Sequence, residues 1–97
     1  MAELLPRLQE FYHQDLGYIS RRTVLYILGH LPLDPDQLIP IFTEASQDRV
    51  PNIRLILCKS LNRLRSKMDI SPFTPILQVL SDDPDNDVKY FALQALD

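Results

Sequence analysis

The 97 residues carry a net charge of −3, are 45% hydrophobic and include only 2 Gly, which fits one domain and argues against a loop-rich or all-β fold. The mildly acidic balance argues against nucleic acid or a membrane surface as partner, and no apolar run nears the ~20 residues that cross a bilayer. The opening Met1-Ala2-Glu3-Leu4-Leu5-Pro6 does not read as a signal peptide and the single Cys58 suits a reducing compartment, so a cytoplasmic setting, also open to the nucleus, is expected.

The spacing predicts an all-α chain with helices over 3–13, 18–31, 35–47, 51–66, 72–81 and 86–96. Most of the 8 Pro fall where these helices begin, at Pro6, Pro35, Pro40, Pro51, Pro72 and Pro75. The first helical turn tolerates proline because its missing N–H would be unpaired there. After the first helix comes an irregular turn, His13-Gln14-Asp15-Leu16-Gly17-Tyr18. Tyr18, beside that turn, is a candidate contact anchor. His30 follows Gly29 at the end of the second helix, where a charged imidazole would help to cap it.

The third helix has a clear start, with Asp34 able to cap and Pro35 at the first helical position. Its apolar residues Leu38, Ile41, Phe42 and Ala45 follow the i, i+3, i+4, i+7 pattern of one buried stripe. The fourth helix differs: Ile53, Leu55, Ile56, Leu57, Cys58, Leu61 and Leu64 cover most of its circumference. Ser71-Pro72 opens the fifth helix, where Phe73, Ile76, Leu77 and Leu80 repeat the stripe. The sixth, with Val88, Tyr90, Phe91, Ala92, Leu93, Ala95 and Leu96, is again apolar nearly all round. A helix of that kind must be covered on several sides.

The chain also repeats itself. Residues 38–61 match 73–96 without a gap at an offset of 35, with Pro40 on Pro75, Ser46 on Ser81, Asp48 on Asp83, Ile53 on Val88, Arg54 on Lys89 and Leu61 on Leu96. A fainter copy lies upstream at an offset of 34, with Pro6 before Pro40, Leu8 before Phe42, Ile19 before Ile53 and Ile27 before Leu61. Three stacked helix pairs, over about 3–31, 35–66 and 72–96, are therefore expected within one domain. Each second helix would be sandwiched by its neighbours, and the short turns would line up along one edge. Tyr90, Phe91, Leu93 and Leu96 leave the last helix an apolar flank, which implies a further solenoid unit, a partner, or low stability alone.

Asp48 precedes Arg54 by six residues and Asp83 precedes Lys89 by six. Such acids can pair with a second-helix cation in their own or an adjacent repeat, or face a partner. Val50 either packs as a staple at the helix entrance or serves as a contact. Arg54, Lys59, Arg63, Arg65 and Lys67 form either a solvated face or a lining that attracts an acidic partner. Tyr26, Tyr90 and Phe91 are read as packing residues, and Cys58 as a buried small hydrophobe. Asp82, Asp83, Asp85 and Asp87 suit a helix N-terminus better than a calcium loop, which needs a Gly and a final Glu. No Gly-rich phosphate loop, HExxH or CxxC occurs. Hence no catalytic residue, cofactor, metal or small-molecule substrate is expected.

The stretches Asp48-Arg49-Val50-Pro51-Asn52-Ile53-Arg54 and Asp83-Pro84-Asp85-Asn86-Asp87-Val88-Lys89, with Cys58-Lys59-Ser60-Leu61 and Pro75-Ile76-Leu77-Gln78, resemble HEAT repeats. Over residues 38–97 they look like the C-terminal repeats of the protein phosphatase 2A scaffold (A) subunit. Regulatory subunit 1 of protein phosphatase 4 has similar segments. The resemblance implies an α-α superhelix acting as a non-catalytic scaffold, whose intra-repeat turns grip a serine/threonine phosphatase catalytic subunit. It implies contacts at Asp48, Arg49, Val50, Pro51, Asn52, Asp85, Asn86 and Asp87. Because that family carries many more repeats, this chain is expected to be a piece of, or shortened from, a longer solenoid. A generic HEAT adaptor for another protein client is the alternative. A helical-repeat enzyme acting on nucleic acid is a third reading, which would need a basic concave face with a carboxylate and aromatics at its centre.

Overall fold

The predicted apolar stripes lie on the inner faces of helices in a computed structural model that describes residues 4–13 and 17–97. The helices are α1 (Leu4–Tyr12), α2 (Tyr18–Leu28), α3 (Pro35–Ser46), α4 (Pro51–Leu64), α5 (Thr74–Leu80) and α6 (Asn86–Leu96), and there is no strand among the described residues. Residue 3 of the predicted first helix and residues 14–16 of the predicted turn lie outside the described residues.

Local chemistry sets the helix ends. Asp34 accepts the Asp36 N–H at 2.9 Å and Pro35 follows it at the start of α3. Asp85 accepts the N–H groups of Asp87 and Val88 at the start of α6, at 3.0 and 3.1 Å. Each of these bonds satisfies a donor that the first helical turn leaves unpaired. Two proline placements differ from expectation. Pro40 stands inside α3, where its ring leaves the Asp36 carbonyl without an intrahelical donor. Both residues are exposed, so water takes that role at little cost. The fifth helix does not start at Pro72. Pro75 has no N–H to give the Ser71 carbonyl, and the Thr74 N–H takes it instead, closing a 3-10 turn over Ser71–Phe73 before α5 begins.

The helices form two layers. α4 lies between α2 and α6, while α1, α3 and α5 each pack on the second helix of their own pair, and α3 also packs against α5. The dimensions of 33 × 29 × 17 Å suit a slab two helices thick, given a spacing of about 10 Å between packed helices. The sandwiching is most complete at α4, where Ile53, Leu57, Cys58, Leu61 and Leu64 are all fully buried. Phe42 and Phe73, also fully buried, meet between the second and third repeats. These features make the chain an α-α repeat solenoid of stacked pairs.

The first repeat aligns at 33 residues, not 34. Leu5, Leu8 and Tyr12 occupy the buried places of Leu38, Ile41 and Ala45, and Ser20, Val24, Leu25 and Leu28 those of Ile53, Leu57, Cys58 and Leu61. Ile19, expected to match Ile53, is 58% exposed. A one-residue slip turns a helix by about 100° and carries its apolar letters off the buried face. Ser20 is tolerated inside because its hydroxyl donates to the Gly17 carbonyl at 3.3 Å.

Two expected packing residues lie outside the core. Tyr26 and Tyr90 are each 56% exposed, on faces of α2 and α6 that no helix covers. Leu93 and Leu96 share the open flank of α6, while Phe91 is half-buried against the core.

Close approach of α2 and α4 depends on Gly29. A Cβ there would lie 2.9 Å from both Cβ and Oγ of Ser60, whose hydroxyl is buried and donates to the Leu25 carbonyl at 2.9 Å. Gly29→Ala is expected to lower stability by about 1–3 kcal/mol through overpacking, read as the urea midpoint. An unchanged midpoint would show that the two helices separate without cost.

Candidate functional site

The turns joining the two helices of the second and third repeats have the same internal wiring. Asp48 Oδ1 accepts the Val50 N–H at 2.9 Å, and Asp83 Oδ1 accepts the Asp85 N–H at 2.9 Å. Just upstream, Ser46 Oγ donates to the Thr43 carbonyl and Ser81 Oγ to the Gln78 carbonyl, at 2.6 and 2.7 Å. These side-chain-to-backbone bonds close each turn without relying on the helix ladder.

Arginines from the preceding repeat link the turns into a row. Arg21 Nε donates to Asp48 Oδ2 at 2.6 Å. Arg54 donates through Nε and Nη2 to the two carboxylate oxygens of Asp83, at 2.7 and 3.0 Å. Its Nη1 also donates to the Asp48 carbonyl at 2.7 Å. One guanidinium therefore touches both turns and holds them side by side on one edge of the slab. Of the two pairings open to the turn acids, the adjacent-repeat one is formed. Lys89 occupies the matching place in the third repeat, is exposed, and makes no ion pair among the described residues.

The Arg54–Asp83 pair is largely withdrawn from water, with 13% and 7% of the two side chains exposed. Burial alone would raise the Asp83 pKa. The hydrogen bonds from Arg54 and from the Asp85 N–H, with the Arg54 charge, outweigh it and hold the carboxyl below its ordinary value.

The predicted contact residues divide into two groups. Asp48, Val50 and Asp85 are half-buried and engaged: Asp48 with Arg21, Val50 against the core, and Asp85 as the cap of α6. Tyr18, Arg49, Pro51, Asn52, Asn86 and Asp87 are exposed. Five of these six stand on the row of turns, while Tyr18 opens α2 with the Arg22 guanidinium 5.7 Å from its ring centre.

Sequence reasoning passes over Arg21 and Tyr12. A 33-residue offset would place Arg21 on Arg54. Tyr12 is 3% exposed and, with Arg21, Glu44, Gln47, Asp48 and Arg49, lines a polar cleft of about 320 Å³ beside the 47–50 turn. Its hydroxyl has no hydrogen-bond partner among the described residues. Burial first, then the charges of Asp48 and Glu44, push its pKa up to about 12 against the opposing Arg21. The phenol is thus a neutral donor beside the row of turns.

Groups of catalytic type are placed elsewhere. Burial and then the Asp83 charge push the Cys58 thiol up to about 12, so it is no nucleophile at neutral pH. The His30 ring stands edge-on to Tyr26 at 4.8 Å. Desolvation, then the charges of Arg63 and Lys67, hold its pKa below the ordinary value, which works against the capping charge that its position suggests. His13 Nε2 lies 2.8 Å from Glu44 Oε2 with both side chains about half exposed, a pairing of little energetic weight.

No family model matches the chain. It is 37% identical over 111 residues to the regulatory (A) subunit of protein phosphatase PP2A from Saccharomyces cerevisiae (strain ATCC 204508 / S288c). The match covers 97% of this chain and 18% of that protein, so the chain spans under a fifth of the relative's length. The likeness supports a HEAT-repeat relationship, in keeping with the stacked helix pairs.

Proposed function

We propose that the chain is a non-catalytic scaffold element that binds a catalytic subunit of a PP2A- or PP4-type serine/threonine protein phosphatase along the row formed by its intra-repeat turns. The observation that carries this reading is the placement of the 47–50 and 81–85 turns beside each other through Arg54. The likeness to a phosphatase regulatory subunit supplies the kind of client. The mechanism is geometric. Paired and capped acids stiffen each turn, so Arg49, Pro51, Asn52, Asn86 and Asp87 meet the client at a fixed spacing. Little ordering entropy is then lost on docking. Arg49 and Asp87 give the row both signs of charge, which favours a client surface of matching pattern over the mere attraction of one sign.

The test is capture, in buffer of physiological salt, of a purified phosphatase catalytic subunit. The triple change Arg49→Glu, Asn52→Ala and Asp87→Lys avoids the engaged acids and should leave the helical circular dichroism intact. It is expected to weaken binding at least about tenfold, equivalent to about 1.4 kcal/mol. No capture by the unaltered chain, or equal capture by the triple variant, would remove the phosphatase reading.

A further inference from the structure

A second surface lies away from the row of turns. Arg22, Thr23 and Tyr26 of α2 face Ile56, Lys59, Ser60 and Arg63 of α4 across a groove of about 350 Å³. Three cations line it, with no carboxylate, in a chain whose net charge is −3. Its apolar floor comes from the Tyr26 ring and from Ile56. The Thr23 and Ser60 hydroxyl hydrogens are already committed, since Thr23 Oγ1 donates to the Ile19 carbonyl at 2.8 Å and Ser60 Oγ to that of Leu25 at 2.9 Å.

The cations are held over aromatic faces. Arg63 Cζ lies 5.3 Å from the Tyr26 ring centre, Lys59 Nζ 5.1 Å from that of Phe91, and Arg22 Cζ 5.7 Å from that of Tyr18. These stacked positions reduce the rotamer freedom that binding would otherwise remove. Three positive groups around a slot lined by Tyr26 and Ile56 complement carboxylates flanking an aliphatic side chain.

We infer that the α2–α4 groove is a docking site for an acidic peptide segment of a partner protein, with an aliphatic side chain seated between Tyr26 and Ile56 and carboxylates paired with Arg22, Lys59 and Arg63. This surface is distinct from the row of turns and holds whether or not a phosphatase binds there.

The test uses the whole chain and a fluorescein-labelled peptide of Asp and Glu with a single central Leu, followed by fluorescence anisotropy. A dissociation constant of about 10–100 μM at low salt is expected, the range of a small transient contact. Replacing the central Leu by Gly should weaken binding about fivefold or more, as loss of a seated side chain does. Lys59→Glu with Arg63→Glu should weaken it at least about tenfold. Arg22→Glu alone, at an exposed site on the other wall, should weaken it at least about threefold and covers the case in which the double variant does not fold. Amide shifts on titration should centre on Thr23, Tyr26, Ile56 and Lys59. No binding of the peptide below about 1 mM, shifts centred on the row of turns, or tighter binding of a single-stranded RNA of equal charge would overturn the inference.

Discussion

Replacing Phe42 by alanine should remove about 3–5 kcal/mol of stability. The ring is fully buried and lies 5.4 Å from that of Phe73, tilted by 57°. Phe42 belongs to α3 and Phe73 to the 3-10 turn that opens the third repeat, so the cavity would form between repeats. A domain of this class holds only about 5–15 kcal/mol in total. At this size each kcal/mol shifts the thermal midpoint by about 4–8 °C, and a fall of at least about 12 °C follows. Val79→Ala is the control, because Val79 is 69% exposed and its truncation should cost under about 0.5 kcal/mol. Adding Phe73→Ala to Phe42→Ala should cost less than its effect alone, since each ring has then already lost its partner. Equal midpoint shifts for Phe42→Ala and Val79→Ala would refute burial of the ring at the junction.

The stripes that place Phe42 and Phe73 are legible because a helix buries positions three and four apart, and hydrophobic letters report that spacing directly. The 35-residue register between the last two repeats carries through to burial, with Ile53 and Val88 alike inaccessible. The first repeat reads one residue out of register because its buried place opposite Ile53 holds Ser20. A serine sits there only by virtue of a hydrogen bond, which hydropathy does not report. Tyr26 and Tyr90 read as packing residues because their letters are apolar. In stacked pairs, however, each second helix keeps one uncovered strip, and tyrosine suits a half-wet position.

The candidate site is legible as a place but not as a set of roles. The repeated Asp–Arg spacing announces a charge relation in the turns. Whether Asp83 reaches Lys89 or Arg54 depends on how far one repeat is rotated on the next, and no local pattern carries that angle. The same gap hides the division between engaged acids and free ridge residues. Asp48 and Asn52 are both polar turn letters, yet only Asp48 has an arginine 27 positions upstream within 2.6 Å.

Arg54→Met should be the most damaging single change on that edge, costing about 2–4 kcal/mol near neutral pH. Methionine keeps much of the stem's packing, so the loss reports the charge and its three hydrogen bonds. Asp83 would keep the Asp85 N–H but lose its cation while 7% exposed. Arg21→Met should cost less, because the Arg21 side chain is 25% exposed and water replaces part of what it loses. The pH dependence follows from Asp83, whose folded pKa lies below the ordinary value of 3.8. A carboxyl depressed by folding adds stability that is complete above the unfolded pKa and is lost as pH falls through the folded one. The advantage of the unaltered chain over Arg54→Met should therefore be full above about pH 5 and shrink steadily below about pH 4. In the variant, burial without a cation pushes Asp83 upward, so its protonation relieves the folded state and closes the gap further. Urea midpoints of both proteins from pH 7 down to about pH 2.5 measure this difference. A gap that stays constant across that range would mean that Arg54 holds the turns by packing alone, and the ionic link between repeats would have to be abandoned.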